Sequence, residues 1–143
     1  MDDRFIITVI GTQTIDDESD KIEVITSGEY TLSGNKALIT YPEFSQENPE
    51  VRTDTTVTLD DGRLTIERRG EMSSRLLLEQ GVRHQCLYET PMGQMMIGIF
   101  TDNITTDLST NGGSISASYQ LDFNHNVVSY NKFDIHIKEK DLG

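Results

Sequence analysis

Five arginines, Arg63, Arg68, Arg69, Arg75 and Arg83, crowd one part of a chain whose formal net charge is −12. A guanidinium is a planar fork of donors that grips a carboxylate bidentately. In "RLTIERRG" the alternating row Leu64, Ile66, Arg68 is apolar until its last member, so Arg68 is expected at or inside one end of whatever its strand helps to enclose. With Arg75 or Arg83 beside it, Arg68 is a candidate anchor for the head group of an amphipathic acid. The plainer reading is a solvated rim that pairs with the chain's many acidic side chains.

Other polar groups fall on apolar rows. Ser129 and Asn131 interrupt the row Val127, Ser129, Asn131, Phe133, Ile135, Ile137 of "VVSYNKFDIHIKEK", and buried polar groups need partners. Tyr30 and Tyr119 also lie on apolar rows and can present hydroxyls to a ligand or to the core. His84, Cys86 and Tyr88 share one strand face, which sets an imidazole near a thiol, yet no orienting third group or oxyanion loop accompanies them. Asp134 and His136 share a face without a third metal ligand, and the acidic run Asp16, Asp17, Glu18, Asp20 lacks the glycine and terminal glutamate of a calcium loop. There is no glycine-rich phosphate loop, no Gly-X-Ser-X-Gly elbow and no zinc-spaced Cys/His set. These spacings support neither an enzyme nor a cofactor.

The elements that must position these residues are strands. "SISASYQLDF", residues 114–123, alternates throughout: Ile115, Ala117, Tyr119, Leu121 and Phe123 face one way, serines, Gln120 and Asp122 the other. Similar segments cover about 4–15, 21–32 and "KALITYPE", which is expected to stop near Pro42 before a long loop over 43–54. "TVTLDDGRLTIE" is a hairpin signal around Asp61-Gly62, and "SSRLLLEQG", "RHQCLYET" and "QMMIGIFTD" follow between turn residues. "DDESD" at 16–20, "STNGGS" at 109–114 and "NHN" at 124–126 supply further turns. Short strands in chain order without crossover helices give an antiparallel meander, and closing it removes two exposed edges. The expected fold is a single all-β domain over 1–143, an up-and-down barrel; period-two patterning also fits a sandwich. If the barrel is hollow, Ile22, Val24, Tyr30, Tyr119, Leu121, Phe133 and Ile135 line its cavity.

"YETPMG", "GGSISASYQLDF" and "VVSYNKFDIHIKE" resemble the YwiB-like family of uncharacterised bacterial proteins. The resemblance spans nearly the whole chain and implies a lipocalin-like (calycin) β-barrel with no assigned activity. The Gly-X-Trp of the lipocalins proper is absent, since Gly11 is followed by Thr12 and Gln13 in a chain without tryptophan.

The charge argues against nucleic acid and anionic membranes as partners. The acidic, polar-interrupted N-terminus resembles neither a signal peptide nor a membrane span, and the lone Cys86 fits a reducing cytoplasm. "RLLLE" at 75–79 and "MMIGIF" at 95–100 are apolar on both faces, so their outer side is expected beneath the 43–54 loop or against a second copy in a homodimer. The function these features favour is a non-enzymatic module binding a small apolar or amphipathic ligand; the other is a solid scaffold for protein–protein contact.

Overall fold

A computed structural model describes residues 5–44, 47–70, 73–90 and 93–140. Ten strands follow in chain order: β1 (Phe5–Ile15), β2 (Glu18–Ser33), β3 (Lys36–Phe44), β4 (Arg52–Asp60), β5 (Arg63–Arg69), β6 (Ser74–Glu79), β7 (Arg83–Thr90), β8 (Gly93–Ser109), β9 (Gly112–Phe123) and β10 (Asn126–Glu139). Each pairs antiparallel with its sequence neighbours, and β1 closes on β10 to complete a barrel. The wall is thinnest between β6 and β7, where Ser74 opposite Tyr88 is the single bonded pair among the described residues. The barrel settles the choice that period-two patterning left open against the sandwich.

The turns follow local chemistry. Asp16-Asp17, Asp61-Gly62 and Asn124-His125 all take positive φ, as two-residue turns between twisted strands require. Aspartate and asparagine tolerate that region because their short polar side chains bond locally. The expected acidic loop at 16–20 is therefore only a two-residue turn, with Ile15 opposite Glu18. The 43–54 loop also shrinks, since β3 runs through Pro42 to Phe44 and β4 begins at Arg52. Pro42 is tolerated there because β2 leaves β3 at the pair Glu29 and Thr40, so no β2 acceptor waits for the missing N–H.

Two bulges reset the alternation. The register of β8 shifts between Thr101 and Asn103, and that of β10 between Val127 and Ser129. Ser129, Phe133, Ile135 and Ile137 are buried as expected, whereas Val127 lies on the exposed side of the β10 bulge. The row of β9 likewise leaves the interior at Phe123.

Below one open end the barrel is solid. Ile7, Ile39, Val57, Leu64, Leu78, Ile99, Ile115 and Ile135 are entirely buried in one cluster. Small barrels are filled by their own side chains in this way. On the outer wall Leu87 and Met96 lie opposite each other and both stay about half exposed, so the described residues of the 43–54 segment do not cover them.

Candidate functional site

The strands leave an open cavity of about 790 Å³ at the end that carries the β1–β2, β3–β4, β5–β6 and β9–β10 turns. Its apolar wall comes from Val9 on β1, Ile22 and Val24 on β2, Leu76 on β6, Tyr119 and Leu121 on β9 and Phe133 on β10. Gly11 lies opposite Ile22, and with no side chain to cover it Ile22 remains 67% exposed at the lip. Two residues expected in the cavity are not there. Ile135 is packed in the solid layer, and Tyr30 lies buried with its ring edge-on to Phe5 and its hydroxyl donating to the Ser109 carbonyl at 2.7 Å.

One corner is polar. Tyr41, Thr55 and Arg68 occupy adjacent positions on β3, β4 and β5, and all three belong to the inward rows of their strands. The Thr55 hydroxyl donates to Glu43 at 2.6 Å, and Arg68 Nε approaches the same carboxylate oxygen at 3.4 Å. The Tyr41 hydroxyl, beneath this corner, is buried without a well-formed hydrogen bond, its contact with the neighbouring Thr55, which donates to Glu43, being a weak one. Burial above all, then the Glu43 carboxylate, pushes that hydroxyl well above the usual tyrosine range, so it stays protonated. A buried hydroxyl so weakly bonded carries a desolvation cost with little to offset it. Tyr41→Phe is therefore expected to leave thermal stability unchanged or raise it by up to about 1 kcal/mol, as differential scanning calorimetry would register.

The remaining anchors separate. Arg75 lies exposed on the outer side of β6, opposite Glu67 and not beside the cavity. Arg83 is also elsewhere: Arg68 sits opposite Ser74, which pairs with Tyr88, five positions along β7 from Arg83. It binds Asp122 through two bonds of 2.7 and 2.9 Å. Ser129 and Asn131 satisfy each other, the Asn131 amide donating to Ser129 Oγ at 2.9 Å, and only Asn131 reaches the cavity.

The other pairings acquire partners of their own. His84 Nε2 lies 3.0 Å from Glu79 Oε1, so its ring is turned to a carboxylate, while Cys86 is a buried free thiol. The side chain of Tyr88 lies outside the described residues. Asp134 accepts a bond from the Ser116 hydroxyl, and His136 is exposed.

Tyr41, Glu43 and Thr55 escaped the sequence reading. Ending the third strand at Pro42 placed Glu43 in a loop. Continuing the alternation Ile39, Tyr41, Glu43 through the proline would have put it on the inner face.

The crystal structure of the ywiB protein from Bacillus subtilis aligns with a TM-score of 0.81 over 96% of this chain and 92% of that one, at 20% identity, and so shares the fold. The chain is also 26% identical over 117 residues, 80% of each sequence, to the "Uncharacterized beta-barrel protein YwiB" of Bacillus subtilis (strain 168). Residues 7–135 match the family model described as "Domain of unknown function (DUF1934)", and the chain belongs to that family.

Proposed function

We propose that this barrel is a non-enzymatic, lipocalin-like binding module of the cytoplasm, whose open end takes the apolar part of a small amphipathic acid. One observation carries the proposal: a cavity with an apolar wall of Val24, Leu76, Leu121 and Phe133 also has a polar corner at Arg68 and Glu43. Ligand sites commonly combine such a wall with a few placed polar groups. Among the residues that line the cavity, Lys21, Arg68 and Lys132 stand against Asp20 and Glu43. A ligand carboxylate competes with Glu43 for Arg68, whose Nε lies 3.4 Å from that carboxylate. Because the layer beneath is solid, the ligand occupies the mouth and not the length of the barrel.

Native mass spectrometry tests this on protein purified without denaturant. The expected spectrum carries an adduct that solvent extraction removes. Arg68→Ala should retain about a tenth of it or less, since a charge-assisted bond is worth about 1.5–3 kcal/mol. A clean protein mass, together with no uptake of dodecanoate, would abandon the ligand in favour of a solid scaffold.

A further inference from the structure

Full closure removes the edges of a sheet, yet this barrel keeps one. β2 and β3 pair from Ser33 with Lys36 to Glu29 with Thr40 and then part, although β2 extends back to Glu18 and β3 on to Phe44. Among the described residues, 18–28 of β2 pair with β1 alone. Successive residues of an antiparallel strand offer their N–H and C=O to opposite sides. The two-residue turns at 16–17 and 34–35 make Ile15 with Glu18 and Ser33 with Lys36 bonded pairs, so even-numbered residues of β2 bond to β1 and odd-numbered ones face β3. Ser19, Lys21, Glu23, Ile25 and Ser27 therefore hold out their backbone groups where no described strand receives them. The slot beside them is open on both faces. Outside, Thr26 and Ser27 of β2 and Pro42 and Phe44 of β3 line a depression, and inside, Lys21 and Ile22 share the mouth cavity with Glu43 and Thr53. Ile25 and Ile22, on opposite faces of this edge, are 66% and 67% exposed. The facing side of β3 is blunted by Pro42, which has no N–H to offer, so β2 is the edge that can take a strand.

We infer that this edge takes an extended, cationic segment of another protein as an added strand. Backbone bonds to the five outward-facing residues supply the affinity, and the charges along the edge select the partner. β2 and the turn before it carry Asp16, Asp17, Glu18, Asp20, Glu23 and Glu29 against Lys21. Across the slot the charges are already paired within the chain, Arg52 with Asp54 and Arg68 with Glu43. A second copy is disfavoured by the same acids. The two-fold register that pairs the whole edge with itself sets Glu23 directly against its own image at the centre of 19–27, like charge on like. A cationic strand meets no such opposition, and its apolar side chains cover Ile22 on one face and Ile25 on the other. This interface needs no ligand in the mouth to form.

Fluorescence anisotropy with a labelled heptapeptide of alternating lysine and valine tests it, beside a second peptide in which proline replaces each valine. The two have the same charge, but the second cannot form a strand. The wild type is expected to bind the first at least about tenfold more tightly. Lys21→Pro removes one N–H from the open edge, where its ring also blocks an approaching strand, and leaves the bonds to β1 in place. It removes a cation as well, so attraction by charge alone would rise. Binding of the valine peptide should nevertheless weaken at least about tenfold, whereas Lys21→Ala, which keeps the N–H, should bind at least as tightly as the wild type. Circular dichroism confirms that both variants fold. On the wild type itself, the bound peptide should slow amide hydrogen exchange at Lys21, Glu23 and Ile25 and leave Ile22 and Val24, already bonded to β1, little changed. No binding, equal binding of the two peptides, Lys21→Pro binding like the wild type, or unchanged exchange at those three amides overturns the inference. So does a wild-type dimer in sedimentation velocity that Lys21→Pro dissociates, since the edge would then belong to a second copy.

Discussion

Gly98→Ala should lower the stability of this barrel by about 1–2 kcal/mol, a fall in Tm of roughly 3–6 °C for a chain of this size. Gly98 on β8 sits beneath the Arg83–Asp122 pair, which crosses the outer face from β7 to β9. A Cβ there would collide with the guanidinium and with both carboxylate oxygens. The Asp122 side chain is only 8% exposed and also accepts the His125 N–H, so one carboxylate holds β7 and the β9–β10 turn together across β8. Bidentate geometry and multiple bonds separate this pair from the surface ion pairs elsewhere, which contribute little.

Acid titration provides an independent check. The bonds from Arg83 chiefly, with the His125 N–H adding to them, hold the Asp122 carboxyl below its usual range against the opposing effect of burial. A carboxyl depressed in the folded state stabilises fully above its unfolded pKa, near about 4, and loses that contribution as pH falls through the folded value. The Tm difference between wild type and Asp122→Asn is therefore expected to be full at neutral pH and to close below about pH 4. A constant difference across that range, or Gly98→Ala melting with the wild type, would mean that the pair does not staple these strands.

This staple also shows where pattern reading ends. Alternation placed Asp122 on the polar face of "SISASYQLDF", and that face is indeed the outer one. Burial on the outer face arises because a glycine on the neighbouring strand lets two charged side chains lie flat across it. That contact joins residues on three strands, and no local period reports it. The arginine cluster separates for a related reason. Neighbours in sequence occur on both faces of their strands, so Arg68 turns inward to Glu43 while Arg69 and Arg75 stay exposed and Arg83 joins Asp122. The hairpins were legible because Asp-Gly and Asn-His declare positive φ in their own residue types. The bulges on β8 and β10 were not, since an extra residue in a strand carries no side-chain signature, and each shifts the inward row by one position.

The division between a solid barrel and an open mouth predicts two very different costs for truncating two apolar residues. Ile135 is fully buried, flanked by Val9 on β1 and Ile115 on β9, and removing most of its side chain leaves a hole that tightly hydrogen-bonded strands cannot close. Ile135→Ala is expected to cost about 3–4 kcal/mol, a large share of the 5–15 kcal/mol typical of a whole domain. Leu121 belongs to the same kind of apolar row but lines the open cavity, where water replaces the deleted atoms and less burial is lost. Leu121→Ala should cost about 1 kcal/mol or less. Denaturant midpoints at constant m-value measure both. Equal small costs would mean that the interior is hollow along its length, making room for the deep ligand that the packing of Ile135 and Tyr30 rules out. Unequal costs confine any bound molecule to the mouth, and Leu121→Ala then becomes the variant of choice for emptying it, because it changes the wall of the cavity while leaving the barrel that holds it intact.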